Sequence, residues 1–226
     1  MRECPAIIAA LPREVKQVVR GWHVQKLPDN ILVYTNDVAV VACAGMGSAR
    51  ATLAVQAAMS AKPVTALLSV GFAGACDPSL HVGDVVRAGV VIDTLSGERD
   101  SNTQFKQILA SAPTIASVKE KQRLYESYRA SAVDMEAATV ARIARGHDLP
   151  FQAIKVISDD ANFELEELGQ FAAQDGQFRE MAFAAYSIAR PRLWSKLIDL
   201  AGNSKLAVQS LTAELESQLD WYKKRT

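Results

Sequence analysis

Apolar runs of strand length recur along this chain, each followed by a turn signal and then a helix-like stretch, and this alternation constrains the fold most. The run Ala6 to Ala10 ends at Leu11-Pro12, ahead of a helical segment carrying Glu14, Val15, Val18 and Val19. Ile31 to Thr35 and Val38 to Ala44 flank Asn36-Asp37, a hairpin turn. The second of these enters Gly45-Met46-Gly47-Ser48 and an Ala-rich helix that Pro63 closes. Ala66 to Val70 leads into Gly71-Phe72-Ala73-Gly74, and Val82-Gly83-Asp84 leads into Val85 to Ile92. Residues 93–112 are polar and weakly patterned and read as loop. Ser131 to Val133 reads as extended, and Met135 to Arg145 as a helix with Gly146 as its C-terminal cap. Phe151 to Ile157 is a buried strand closed by Ser158-Asp159-Asp160. From about Gln177 to Lys224 the pattern is helical, with breaks near Pro191 and Gly202-Asn203. The expected fold is α/β: a three-layer α/β/α sandwich whose early hairpin makes the central sheet mixed. Residues 1–226 form one domain in this reading, with 177–226 a helical C-terminal extension.

A chain of 226 residues can bury a full core. Its 25 basic and 25 acidic side chains cancel, so no global field asks for nucleic acid or an anionic surface. Cys4, Cys43 and Cys76 are an odd set with no CxxC pair, and His23, His81 and His147 are scattered. Reduced thiols and no metal site are expected from that usage. The apolar run behind Met1-Arg2-Glu3-Cys4-Pro5 stops at Pro12, too soon for a signal peptide or membrane span, which predicts a cytoplasmic protein.

Ligands of open α/β sheets bind beyond the carboxyl ends of the strands, so the residues following each run are the candidates. Glycines at 45, 47, 71 and 74 let backbone approach a ligand, although short turns between strand and helix use glycine anyway. Glu136 lies in the apolar run Ala132-Val133-Asp134-Met135-Glu136-Ala137-Ala138. It either complements the helix dipole or is paired with a polar ligand such as a sugar diol, since a carboxylate among such neighbours is costly alone. Asp159 and Asp160 are either a solvated turn or an acid at the ligand edge, and Glu14 either a first-turn helix acid or part of the same site.

Taken together, these segments resemble the nucleoside phosphorylase superfamily, in particular the methylthioadenosine/S-adenosylhomocysteine nucleosidases. The resembling stretches are Ile7 to Val15, Ala44 to Ser48, Ser69 to Gly74, Val82 to Val86, Ala132 to Ala138 and Phe151 to Asp159, in the family's order. The resemblance implies hydrolysis of a purine N-glycosidic bond, with adenine the expected base and no metal or organic cofactor. It makes Asp159 the general acid toward N7 of the base and Glu14 the group that activates water. Ser158 would orient Asp159; Met135 and Glu136 would lie under the ribose; Phe72, Ala73 and Gly74 would line base and sugar, and Met46 the 5′ side.

The stretch between Ile92 and Ser131 is shorter than in those nucleosidases, and near Pro113-Thr114-Ile115 no aromatic stands ready to stack on a base, which leaves Phe105 as the substitute. The short middle and long tail resemble the hopanoid-associated branch, which implies an adenosyl group on a bulky lipid. Trp194, Leu197, Ile198, Leu200, Leu206, Val208 and Leu211 are expected to pack on the chain's own domain or a partner subunit, with contact to a membrane surface the lesser alternative. A homodimer is expected. Phosphate is the alternative nucleophile, with Arg13, Arg50, Gly45 and Ser48 as its conceivable ligands, and nucleoside binding without cleavage is the alternative from another class.

Overall fold

Side-chain alternation along the strands decides how the sheet is covered. In β1 (Pro5–Ala9), Ile7 and Ala9 join one apolar cluster while Ala6 and Ile8 join another, so both faces of the strand are buried. The computed structural model describes residues 3–102, 104–164 and 194–225. The segment Leu11–Val15 turns through a one-turn helix, α1 (Pro12–Val15), and β2 (His23–Leu27), β3 (Ile31–Thr35) and β4 (Val40–Cys43) follow as an antiparallel run. Next come α2 (Ser48–Ala61), β5 (Ala66–Ala75), β6 (Val85–Asp93), β7 (Arg99–Ser101) and β8 (Gln107–Ser111). Then come α3 (Val118–Tyr128), β9 (Ala132–Asp134), α4 (Ala137–Gly146), β10 (Phe151–Asp159) and α5 (Trp194–Lys223).

β1 pairs in parallel with β4 and β5, and β10 in parallel with β5 and antiparallel with β6, so the sheet is mixed as expected. The pairings β5–β10–β6–β8–β9–β5 close on themselves, so half of the sheet curls into a ring while β1, β4, β3 and β2 continue it as an open wing. Small residues of α2 and α4 (Ala51, Ala54, Ala58, Ala144) lie close against Ala6, Ile8 and Leu67 on one face. On the other face Val15 and α5 residues Ala207, Leu211, Leu215, Leu219 and Tyr222 cover Ile7, Val41, Leu68 and Val156. Those five α5 positions recur every three or four residues, one stripe of a helix.

Four sequence expectations change. Residues 93–112 are not only loop: they contain β7 and β8, and β8 lies inside the ring, paired with both β6 and β9. Its short run Ile108-Leu109-Ala110 is weak alone and becomes a strand because two neighbours supply its hydrogen bonds. β2 was not foreseen; four of its five residues are exposed, so it lacks an apolar signature. Gly146 is the last helical residue of α4 and the left-handed backbone falls at Asp148 (φ 53°). α5 runs unbroken through Gly202-Asn203; the cost of a helical glycine, about 1 kcal/mol, is small beside the burial of the α5 stripe. The expected break at Pro191 lies outside the described residues. Leu211 of the tail is buried in the chain's own core, whereas Leu206 is 47% exposed. Among the described residues no helix is long and apolar enough to cross a membrane.

Candidate active site

The parallel strands β1, β4, β5 and β10 end on one edge of the sheet, and the segments leaving those ends, together with the end of β9, wall a cavity of about 500 Å³. Glu14, Met46, Phe72, Ala73, Gly74, Met135, Glu136, Ser158 and Asp159, named from the sequence as catalytic or substrate-binding, all line it. Phe105 is not among the lining residues; the wall near the expected stacking position is formed by Thr114, Ile115 and Ala116. α5 contributes Ser204, so the C-terminal helix reaches the site.

Glu14 is 3% exposed and its Oε2 accepts the Leu11 backbone N–H at 2.9 Å. Burial pushes its carboxyl upward, opposed by the backbone N–H groups of Leu11 and Phe72 and by Lys155 and Arg13. Gly71 makes the seat for this carboxylate: its φ is +128°, and a Cβ there would lie 3.1 Å from both Glu14 oxygens.

Glu136 stands at the N-terminal end of α4 but does not cap it. Its Oε1 accepts the Gly47 backbone N–H at 2.7 Å across the site, while Asp134 Oδ2 accepts the Ala137 N–H at 2.9 Å. Burial, and then the neighbouring Asp134 charge, push the Glu136 carboxyl up to about 7, against Lys155 and the Gly47 N–H. Behind this pair lies Lys155, in the middle of β10 and 1% exposed; its Nζ reaches Asp134 Oδ2 at 2.9 Å and the Val70 carbonyl at 3.1 Å. Burial alone would depress the Lys155 ammonium, but Asp134, Glu136 and Glu14 more than offset it and leave it raised. Asp134 also accepts from Ser111 Oγ, whose oxygen in turn accepts the Ala138 N–H at 3.0 Å.

Asp159 is the other acid of the cavity, 3% exposed. Its Oδ1 accepts from Ser158 Oγ at 2.6 Å, and its Oδ2 from Lys121 Nζ at 2.5 Å. Lys121 comes from α3, and sequence reading missed it. A signal existed: in the polar helix, Lys121 shares a face with Leu124, Tyr125 and Tyr128 at spacings of three, four and seven, and it is as buried as Leu124. Lys155 had a plainer signal, a lone lysine within the otherwise apolar centre of Phe151 to Ile157. Of the conceivable phosphate ligands, Arg13 lines the cavity, whereas Arg50 does not and donates instead to the Asp29 carbonyl at 2.9 Å.

The family model described as the phosphorylase superfamily matches residues 6–115 and 107–187. A 5′-methylthioadenosine/S-adenosylhomocysteine nucleosidase of Thermotoga maritima is 28% identical over 177 residues, covering 69% of this chain and 81% of that protein. The enzyme of the same name from Staphylococcus aureus strain JH9 is 22% identical over 161 residues, covering 56% of this chain and 71% of the relative. Among solved structures, the Helicobacter pylori 5′-methylthioadenosine/S-adenosylhomocysteine nucleosidase in complex with a substituted pyrrolidinol superposes with a TM-score of 0.70 at 17% identity, over 96% of this chain and 98% of that one. The futalosine hydrolase of the same species gives a TM-score of 0.66 at 18% identity, over 95% and 98% of the two chains. These two likenesses are of fold.

Proposed function

The chain belongs to the phosphorylase superfamily, and on that premise we propose that it is a purine nucleosidase, hydrolysing the N-glycosidic bond of an adenine nucleoside that carries a 5′ substituent. The observation that carries this reading is the convergence of Glu14, Glu136 and Asp159, three buried acids from distant parts of the sequence, on one cavity. Relatives named as nucleosidases support the class of reaction. A cavity of about 500 Å³ suits a nucleoside with a small substituent.

In this reading the ribose lies against Met135 and Glu136, and the ionised Glu136 accepts from its hydroxyls. As the C1′–N9 bond breaks, positive charge grows on the sugar, and fixed carboxylates beside it stabilise that charge. Glu14 takes a proton from the attacking water, and Asp159, oriented by Ser158, delivers one to N7 of the departing base. Water is favoured over phosphate as nucleophile because Glu14, Glu136 and Asp134 face one buried cation, Lys155, and such a wall repels an anion. Arg13 is a weak counterweight, and the other lysine of the cavity, Lys121, is already paired with Asp159.

The experiment is base release from S-adenosylhomocysteine, methylthioadenosine and adenosine, each with and without phosphate. Adenine and free sugar without phosphate are the expected products. Release only with phosphate would replace hydrolysis by phosphorolysis, and tight binding with no release would leave a nucleoside-binding protein.

A further inference from the structure

The ion pair beneath the cavity raises a chemical question. Asp159 accepts from Ser158 at one oxygen and from an ammonium at the other, so as it stands this carboxylate has no proton of its own to give. The ammonium has three donors, and all are engaged: Asp159 Oδ2 at 2.5 Å, the Asp160 carbonyl at 2.9 Å and the Phe163 carbonyl at 3.2 Å. Lys121 is 1% exposed, and the room it occupies with Asp159 exists because residue 74 is glycine: a Cβ there would lie 2.8 Å from Asp159 Oδ2 and 2.9 Å from Lys121 Cε. The Cys76 thiol lies near the same pair. A surface lysine would be screened and mobile; this one is fixed within the reach of one proton transfer.

We propose that Lys121 is a positioning residue that holds the proton destined for the leaving base and passes it through Asp159. This rests on the nucleosidase reading above. As the C1′–N9 bond breaks, its electron pair moves onto the base; Lys121 Nζ passes its proton to Asp159 Oδ2 and becomes a neutral amine, and Asp159 Oδ2 delivers that proton to N7, ending as a carboxylate again. Water adds to C1′ and loses a proton to Glu14, so one water is consumed and free base and free sugar leave. Solvent then carries the proton from Glu14 back to Lys121. The Asp160 and Phe163 carbonyls keep Nζ aimed at Oδ2 while its proton moves.

The test compares wild type, Lys121→Met and Lys121→Arg on the adenine nucleoside that wild type cleaves best, and on 4-nitrophenyl ribofuranoside, whose leaving group departs without a proton. Proton holding predicts that kcat for the nucleoside falls about 10²–10⁴-fold in both variants, with KM within a few-fold. Lys121→Arg keeps the charge and the ion pair but not a transferable proton, so it decides the matter even if Lys121→Met fails to fold. Cleavage of the nitrophenyl compound at near wild-type rate by either variant would add support. Near wild-type turnover of the nucleoside by Lys121→Arg would overturn the proposal and reduce Lys121 to a fixed charge; a loss expressed in KM alone would do the same. If wild type itself releases no base from any purine nucleoside, the nucleosidase reading fails instead.

Discussion

At the scale of single residues, Glu14 and Glu136, the two carboxylates that the proposed reading sets beside the sugar, are held where burial opposes their charge. Burial pushes the Glu14 carboxyl upward, which in the proposed reading makes it a better base toward the attacking water. Glu14→Gln is therefore expected to lower kcat by about 10²–10⁴-fold while leaving the thermal midpoint unchanged or higher. A variant with normal turnover would remove Glu14 from the reaction. Glu136, pushed to about 7, carries a linkage of definite sign. Between the ordinary 4.5 of the unfolded chain and about 7, the folded protein keeps a proton that the unfolded chain has released. Its contribution is complete below that window and is lost as pH rises through it. Thermal midpoints taken from pH 4.5 to pH 7.5 should fall more steeply for wild type than for Glu136→Gln; parallel curves would contradict the assignment.

At the scale of elements, the strand ends were the legible part. Glu14, Met46, Phe72, Met135 and Asp159 stand beside apolar runs that are recognisable by themselves; parallel pairing of β1, β4, β5 and β10 carries four of them to one edge, and the antiparallel pairing of β9 with β5 brings Met135 there. What escaped the sequence is what tertiary partners create. β8 exists because β6 and β9 flank it, and Lys121 matters because α3 turns its buried face toward the end of β10. Phe105 had only its aromaticity to recommend it, and chain direction takes it elsewhere: its carbonyl lies against Gly89 of β6. Within β5, Gly71 links backbone to chemistry. With φ at +128° and a hypothetical Cβ 3.1 Å from the Glu14 oxygens, Gly71→Ala both strains the strand and displaces the carboxylate. The expected cost is about 1–3 kcal/mol in urea unfolding at unchanged m, together with a fall in kcat comparable to that of Glu14→Gln. Full activity at lowered stability would show that the seat is structural only.

At the scale of the whole molecule, β10 joins the fold to the site. It pairs with β5 and β6, closes the strand ring, carries Lys155 at its centre and presents Ser158 and Asp159 at its end. A chain with no net charge thus keeps an uneven interior: Asp134, Glu136 and Glu14 gather around Lys155 while Lys121 answers Asp159. Removing Lys155 tests whether that interior balance holds the ring together. Lys155→Met keeps the length of the side chain and leaves three buried carboxylates without their cation, a change of about 3–5 kcal/mol near neutral pH. The sign of its pH dependence follows from the carboxylates. Without the cation the proton affinities of Glu14 and Glu136, already raised by burial, rise further, so the folded variant holds more protons than the unfolded chain above the ordinary carboxylate range, and its stability falls as pH rises. The gap between wild type and variant should accordingly be smallest in acid, where Glu14 and Glu136 are protonated in both states, and widest near neutrality. Urea midpoints measured across that range decide it: a gap independent of pH would mean that Lys155 stabilises by packing its alkyl chain within β10, and the charge balance would then not be what holds the site's acids in place.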